Sequence, residues 1–313
     1  MSAQKQAMKQ YPKSVKIVEV GPRDGLQNEK EIISAKDKIK FIELLAASGL
    51  KNIEVTSFVS PKAVPQLADA EEVVNGLKDC RGLPWQALNL SCLVPNVKGL
   101  DRAISSGIKR IAIFTAASET FNKKNINMSV KKSIETYNDV IKTALTKGIV
   151  VRGYVSTCFY CPYEGKIKKE KVLEVANALI DLGVDEVSLG DTIGAAVPKD
   201  VLETVGFLLK EIPKEKIALH FHDTYGTALA NVTAGLELGI TTFDSSAGGL
   251  GGCPYAPGAA GNLATEDLVY LLNQSGIKTG VDLNKLTKAS KFMQKILKRK
   301  LPSKQLARVL TMQ

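Results

Sequence analysis

The sequence predicts an α/β protein that folds as a (β/α)8 TIM barrel with additional C-terminal helices. Eight short runs rich in Val and Ile alternate with segments long enough to form helices. Such alternation is typical of parallel strands joined by right-handed helical crossovers. Eight of these units fill the length that a barrel of this type needs, roughly 250 residues.

The predicted strands follow one another at regular intervals. They are residues 15–20, 51–58, 86–94, 109–116, 149–157, 185–192, 216–223 and 241–249. Between them, residues 35–49 and 168–183 show the clearest helical periodicity. One more helix is predicted over 265–275. No linker interrupts the chain, so we expect a single domain over 1–313, with the barrel at about 15–275 and a basic helical extension at about 281–313.

The placement of polar residues separates a closed barrel from a doubly wound open sheet, which the alternation alone also allows. Arg23 and Asp24 follow the first strand, Asp191 ends the sixth, and His220 and His222 end the seventh. In a barrel these strand ends converge on one face, where catalytic groups collect. In an open sheet they would be spread along a line, so we favour the barrel.

The net charge of +10 is concentrated near the C-terminus. From Val281 onward the chain holds nine Lys or Arg residues against one acidic residue, Asp282. A solvated basic helix face is the simplest interpretation, and attraction of a polyanion is the alternative. A nucleic-acid-binding module is disfavoured because Phe292 is the only aromatic residue of this segment and no nucleic-acid motif is present.

Composition excludes several further classes. No apolar run approaches the roughly 20 residues that a membrane-spanning helix needs, and the N-terminus lacks the apolar region of a secretory signal. Five cysteines, an odd number spread thinly, do not resemble a disulfide framework. We therefore expect a cytoplasmic protein that associates with neither membranes nor nucleic acid.

The chain contains only two histidines, His220 and His222, one residue apart in the stretch IALHFHD. Side chains at i and i+2 of a strand share a face, here the barrel interior, while Leu219 and Phe221 pack outward. Two core histidines bonded to backbone are one interpretation, and a shared cation is the one we favour. Oxygen ligands would complete a site for Mg²⁺ or Mn²⁺. The barrel mouth offers Asp24, Asp191, Asp223 and Asn262.

The stretch VGPRDGLQNEK places opposite charges, Arg23 and Asp24, in a sharp turn after the first strand. An ion pair on a surface turn is the simple interpretation, but the position at a barrel mouth favours function. Arg offers a fork of donors for a carboxylate or a developing enolate. Glu54 is a charge within an apolar strand and needs a partner, and Arg23 is the nearest candidate by strand order.

The stretch AGGLGGCPYAPGAAGN (247–262) is Gly-rich but does not match a P-loop. Cys253 lies in its middle, and a cysteine in such a loop favours acid–base or nucleophilic chemistry over mere tolerance of a small residue. Cys158 and Cys161 form a lone CxxC motif, which we interpret as loop packing rather than as a redox or zinc site.

Four motifs together resemble one family. GPRDGLQNE, SLGDTIG, HFHDTYG and GLGGCPYAPGAAGN are similar to signatures of the 3-hydroxy-3-methylglutaryl-CoA lyase family of metal-dependent TIM-barrel lyases, in the family's order. The resemblance runs from about residue 15 to 300. It implies a carbon–carbon lyase of leucine degradation that acts on an acyl-CoA, uses a divalent cation without an organic cofactor, and forms a homodimer.

The resemblance also implies a set of site residues. The metal ligands would be Asp24, His220, His222 and Asn262. The catalytic residues would be Arg23, Asp24, Glu54, Asp191 and Cys253. Substrate contacts would come from Arg23, Gln27 and Lys30, with Lys123 and Lys124 near the mouth for the phosphates of CoA.

These residues suit a retro-Claisen cleavage of 3-hydroxy-3-methylglutaryl-CoA to acetyl-CoA and acetoacetate. Asp24 or Asp191 would take the proton of the substrate hydroxyl, Arg23 would stabilise the enolate, and Cys253 would protonate it. A condensing metallolyase that joins acetyl-CoA to a 2-oxo acid is the alternative. Such relatives usually carry charged residues where this chain has Cys253.

Overall fold

The chain forms a closed barrel of parallel strands with helices around it. A computed structural model describes residues 11–80, 87–252 and 261–311. The strands are β1 (Lys16–Glu19), β2 (Asn52–Ser57), β3 (Asn89–Leu93), β4 (Arg110–Ala116), β5 (Val150–Ser156), β6 (Tyr160–Cys161), β7 (Gly165–Lys166), β8 (Glu186–Asp191), β9 (Ile217–Phe221) and β10 (Thr242–Ser245). All except β6 and β7 belong to the barrel, and β10 pairs back onto β1. The predicted TIM barrel is confirmed.

Helices pack around the outside of the barrel. They are α1 (Ala35–Ala47), α2 (Ala70–Lys78), α3 (Val97–Ser105), α4 (Glu119–Ile126), α5 (Val130–Thr146), α6 (Lys169–Asp181), α7 (Pro198–Leu208), α8 (Ala228–Glu237), α9 (Thr265–Gln274), α10 (Leu283–Leu297) and α11 (Lys304–Thr311). The last two are the additional C-terminal helices that the sequence predicts.

Helix α1 illustrates how local sequence sets these boundaries. The Ser34 hydroxyl accepts the backbone N–H of Asp37 at 3.1 Å, which satisfies a free donor of the first turn. Ile42 and Leu45 are fully buried, as the periodicity predicts. The helix is followed by Gly49 at φ 101°, where a Cβ would lie 2.2 Å from the carbonyl oxygen of Gly280. Only glycine fits this turn between the helix and β2.

Two elements were not predicted. The loop after β5 contains the antiparallel hairpin of β6 and β7, and α4 precedes the main crossover helix α5. Cys161 lies in the hairpin, where its Sγ is 3.1 Å from Ser118 Oγ, and the Cys158 thiol donates to the Val155 carbonyl at 2.9 Å. Both cysteines are buried and free, consistent with the packing role expected of them.

The basic C-terminal segment packs onto the barrel as part of the outer helical layer. Helix α10 contacts α1 and α9 and buries Leu286 and Met293, whereas Lys285, Lys288 and Lys295 are exposed. This arrangement matches a solvated basic face. Among the described residues, no helix has the length and apolarity needed to cross a bilayer.

Candidate active site

A cavity of about 530 Å³ opens at the carboxyl ends of the barrel strands. Several residues that the sequence singled out line it: Arg23, Asp24, Gln27, Lys30, His220 and His222. The predicted alternation of β9 explains how the histidines reach it. Leu219 and Phe221 belong to the apolar layer between barrel and helices, so the intervening His220 points inward.

A tight helical turn after β1 presents Arg23 and Asp24 to this cavity. The backbone N–H groups of Arg23, Asp24 and Gly25 all point to the Val20 carbonyl, at 3.2, 2.8 and 3.1 Å. Glycine suits the start of the turn because a Cβ on Gly21 would lie 2.5 Å from Glu19 Oε1, which accepts the N–H groups of Gly21 and Ala247. The turn therefore fixes two consecutive charged side chains at the mouth.

Arg23 is buried between two carboxylates. Its Nε donates to Glu54, the partner that strand order predicted, and its Nη1 donates to Asp24 Oδ1 at 2.6 Å. Tyr154 donates to the other Glu54 oxygen at 2.7 Å. Burial opposes the charge of Arg23, but Glu54 and Asp24 outweigh it and raise the arginine pKa above its usual value. The guanidinium is thus a fixed positive charge in a buried position.

Asp24, His220 and His222 form a candidate cation site. One ligand atom from each lies within 4.8 Å of the others. Although burial works against ionisation, Arg23 and the histidines lower the pKa of Asp24 to about 2. Burial and the neighbouring His220 lower the pKa of His222 to about 4. An ionised carboxylate and a neutral imidazole are the forms that bind a metal.

Asn262 completes this group. It is held beside His222 by a backbone bridge, and its Nδ2 donates to Asp24 Oδ2 at 2.8 Å and to the Leu250 carbonyl at 3.2 Å. Its Oδ1 is buried and has no hydrogen-bond partner among the described residues. An unpaired buried oxygen is costly, and a cation would satisfy it. Carboxylate, two imidazoles and an amide oxygen are together a donor set that fits a divalent cation.

The other predicted carboxylates lie outside this cluster. Asp191 is fully buried, and its two oxygens accept the N–H groups of Ala195 and Ala196, each at 3.1 Å. Burial raises the pKa of Asp191 to about 7 despite these bonds. Asp223 accepts the N–H of Ala228 at the start of α8, at 3.0 Å. The geometry gives both residues turn-forming contacts instead of a place among the metal-binding atoms.

Three further predicted residues concern the substrate. Lys30 is exposed at the rim of the cavity. Lys123 and Lys124 are exposed on α4, and Lys124 Nζ lies 4.5 Å from the centroid of the Tyr163 ring. Cys253 lies outside the described residues.

Sequence reasoning missed a polar network beneath the histidines. Asp244 Oδ2 lies 3.2 Å from His220 Nδ1, and Arg152 donates to both Asp244 oxygens. Arg152 also donates to the Tyr154 hydroxyl at 3.0 Å. An acidic residue inside the strand-like run TTFDSS was the available signal, because a charge in a buried strand needs a partner.

The fold and the site together define a class of protein: a TIM-barrel enzyme with a candidate divalent-cation site and a buried arginine at the barrel mouth. A family model described as HMGL-like matches residues 14–293. The chain belongs to this family, as its motifs predicted.

Individual relatives agree with this family assignment. The mitochondrial hydroxymethylglutaryl-CoA lyase of Bos taurus is 52% identical over 294 residues, which cover 94% of this chain and 89% of the bovine protein. The crystal structure of hydroxymethylglutaryl-CoA lyase from Pseudomonas aeruginosa matches with a TM-score of 0.93 and 47% identity, covering 97% and 99% of the two chains. An HMG-CoA lyase from Acinetobacter baumannii, in complex with coenzyme A and 3-methylmalate, has a TM-score of 0.89 and 38% identity over 96% of both chains.

Proposed function

We propose that this protein cleaves 3-hydroxy-3-methylglutaryl-CoA to acetyl-CoA and acetoacetate. The observation that carries the proposal is the placement of Arg23 against the cluster of Asp24, His220 and His222 in one cavity. This pairs a fixed positive charge with a cation site, and a retro-Claisen cleavage needs both. The bond between C2 and C3 breaks, C3 becomes the ketone of acetoacetate, and the electron pair forms the enolate of acetyl-CoA.

Asp24, His220, His222 and Asn262 are the residues that would hold the cation, and the oxygen-containing donor set favours Mg²⁺ or Mn²⁺. When bound, the cation supplies Lewis-acid acidification of the substrate hydroxyl. The relatives support an acyl-CoA as substrate.

Arg23 is the proposed electrostatic catalyst. Its bonds to Glu54 and Asp24 use Nε and Nη1, and neither uses Nη2. A donor held in place before the reaction stabilises developing negative charge without reorganisation. We assign the thioester oxygen, which becomes the enolate oxygen, to this guanidinium, and we give Glu54 the role of holding it.

Asp24 is the better of the two predicted bases. Asp24 lines the cavity in which the substrate would bind, whereas Asp191 is fully buried. Both carboxylates also accept hydrogen bonds from the protein, so the position in the cavity decides. We therefore propose that Asp24 takes the hydroxyl proton and that Asp191 shapes the turn after β8. Asp191→Asn should retain far more activity than Asp24→Asn. Equal loss in both variants, with intact thermal unfolding, would contradict this assignment.

Cys253 is proposed to return a proton to C2 of the enolate, which yields acetyl-CoA. This role rests on the resemblance of GLGGCPYAPGAAGN to the family's loop. Gln27 and Lys30, at the cavity rim, are proposed to contact the CoA moiety, with Lys123 and Lys124 nearby on the mouth side of the barrel.

We further propose a cytoplasmic homodimer built from one domain over 1–313. Free buried cysteines among the described residues support a reducing compartment, and the packing of α10 on α1 and α9 supports a single domain. Light scattering during size-exclusion chromatography should give about twice the 33.7 kDa chain mass.

The activity test uses purified protein with Mg²⁺ or Mn²⁺ and measures acetoacetate release from 3-hydroxy-3-methylglutaryl-CoA. His220→Ala and Cys253→Ala should abolish most of the turnover. In parallel, CoA release from acetyl-CoA with a panel of 2-oxo acids tests the condensing alternative. Turnover only in the second assay would overturn the proposed function.

A further inference from the structure

His220 and Asp244 are register partners on the adjacent parallel strands β9 and β10. Their side chains therefore leave the sheet in the same direction, into the barrel. His220 Nδ1 lies 3.2 Å from Asp244 Oδ2, and Asp244 is 1% exposed. The contact follows from strand pairing and not from a mobile loop.

Asp244 is held as an acceptor on every side. Arg152 donates from Nη2 to Oδ1 at 2.7 Å and from Nη1 to Oδ2 at 3.1 Å. Ser188 donates to Oδ2 at 2.8 Å. A carboxylate that receives a bidentate guanidinium is ionised and can only accept hydrogen bonds. The proton shared with His220 must therefore reside on Nδ1 of the imidazole.

The second histidine is arranged differently. His222 Nδ1 is buried and has no hydrogen-bond partner within the described part of the chain. The two rings lie 5.3 Å apart between centroids. The His220 imidazole is thus held by a carboxylate at Nδ1, and the described residues give His222 no equivalent partner.

We propose that Asp244 is a positioning residue, which fixes His220 as the Nδ1–H tautomer and turns its Nε2 lone pair toward Asp24, His222 and Asn262. Arg152 and Ser188 keep Asp244 in place for this purpose. The inference rests on the proposed cation site. Carboxylates that orient a histidine ligand are commonly worth about 10- to 100-fold in metal affinity.

The same arginine supplies a matched control. Arg152 Nε donates to Glu186 Oε1 at 2.9 Å, and Glu186 also pairs with Lys16 at 2.6 Å. Glu186→Gln removes one negative charge from Arg152 without touching His220. A general loss of charge in this network would affect Glu186→Gln and Asp244→Asn alike, whereas loss of histidine positioning would affect only the latter.

The first experiment measures Mn²⁺ affinity without substrate, by electron paramagnetic resonance of the free ion. We expect Asp244→Asn to bind Mn²⁺ about 10- to 100-fold more weakly than the wild type and Glu186→Gln to bind it within about threefold. Wild-type affinity in Asp244→Asn, or equal losses in both variants, would overturn the proposal.

The second experiment needs no variant at Asp244, so a folding failure there cannot leave the question open. With only two histidines in the chain, ¹⁵N-histidine labelling gives just two imidazole signal sets, and His222→Gln assigns them. In the metal-free protein, His220 should carry its proton on Nδ1. A proton on Nε2 would overturn the proposal. Because this readout involves no substrate, it stays decisive even if 3-hydroxy-3-methylglutaryl-CoA is not cleaved.

Discussion

Asn262 donates its Nδ2 to Asp24 Oδ2 at 2.8 Å while its own Oδ1 stays buried without a partner among the described residues. The amide is thereby oriented with its oxygen free and its nitrogen occupied. This orientation is what a ligand to a hard cation requires.

Replacing Asn262 with Ala should therefore weaken cation binding. We expect Mn²⁺ affinity to fall by at least about tenfold, the smallest loss typical when only a hydrogen-bond partner of a ligand is removed. Asn262→Ala removes both an oxygen ligand and the hydrogen bond to Asp24. Titration calorimetry with Mn²⁺ measures the change. Asn177→Ala, an amide on α6 that contacts Glu211, is the control, and equal affinities in the two variants would contradict the assignment.

Arg23→Lys should distinguish the effect of the positive charge at position 23 from the effect of the guanidinium geometry. Lysine keeps the positive charge but cannot reproduce the guanidinium fork that contacts both Glu54 and Asp24. We expect kcat to fall by about 10²- to 10³-fold, as for the loss of one preorganised donor, with Mn²⁺ affinity changed far less. Arg102→Lys, which alters a partly buried arginine paired with Glu71, should leave kcat intact. A kcat near the wild-type value in Arg23→Lys would exclude the proposed role.

Glu266 should make the protein less stable as pH rises above 5. Burial raises the pKa of Glu266 from 4.5 to about 7, although Ser290 and Gly248 donate to it. Because the native state holds its proton more tightly than the unfolded state, the free energy of unfolding decreases from pH 4.5 to about 7 and then levels off. The shift corresponds to roughly 3 kcal/mol. In Glu266→Gln, urea unfolding at pH 5 and pH 8 should differ less than in the wild type.

The control for this effect is Glu237→Gln, which alters an exposed carboxylate at the end of α8. It should keep the wild-type difference between the two pH values. A difference in Glu266→Gln as large as in the wild type would show that Glu266 does not carry the effect.

Gln66 should control KM for the acyl-CoA. Its side chain accepts the N–H of Ile33 at 3.0 Å and donates to the carbonyls of Glu29 and Glu31 at 3.3 and 2.7 Å. These bonds hold the segment that carries Lys30 at the cavity rim. In Gln66→Leu the segment loses all three bonds, and we expect KM to rise on the order of tenfold, about 1.4 kcal/mol, with kcat nearly unchanged.

A truncated thioester that lacks the nucleotide of CoA provides the comparison. If the rim segment contacts only the nucleotide end of CoA, the KM for this truncated substrate should be the same in the wild type and in Gln66→Leu. Gln66→Glu, which can still accept from Ile33, should fall between the wild type and Gln66→Leu. An equal rise in KM for both substrates would show that Gln66 does not act through contacts with the nucleotide of CoA.

The sequence was sufficient for the parts of the site that depend on strand order and strand periodicity. The inward direction of His220 and the pairing of Arg23 with Glu54 both follow from such rules, and both are present. The residues alone made Asn262 one of four candidate oxygen ligands, and the resemblance selected it. Its contact with Asp24 joins residues separated by 238 positions. No local pattern encodes that contact.

Asp244 was missed for a related reason. Its proposed role depends on its pairing with His220 between β9 and β10. The sequence of one strand alone does not determine its register with a neighbouring parallel strand. The hairpin of β6 and β7 was missed because two-residue strands carry no detectable periodicity.

The barrel closes where β1 meets β10. Of the proposed ligands, Asp24 lies in the turn after β1, and Asn262 lies beyond β10, shortly before α9. A cation held by these residues would link the segment after the first strand to the segment after the last strand. Asp24 is synthesised long before Asn262, because 238 positions separate them. The complete site is therefore absent from every partial chain that ends before Asn262. Cation binding would then require a closed barrel. Measuring Mn²⁺ uptake during refolding would therefore report the rate at which the barrel closes.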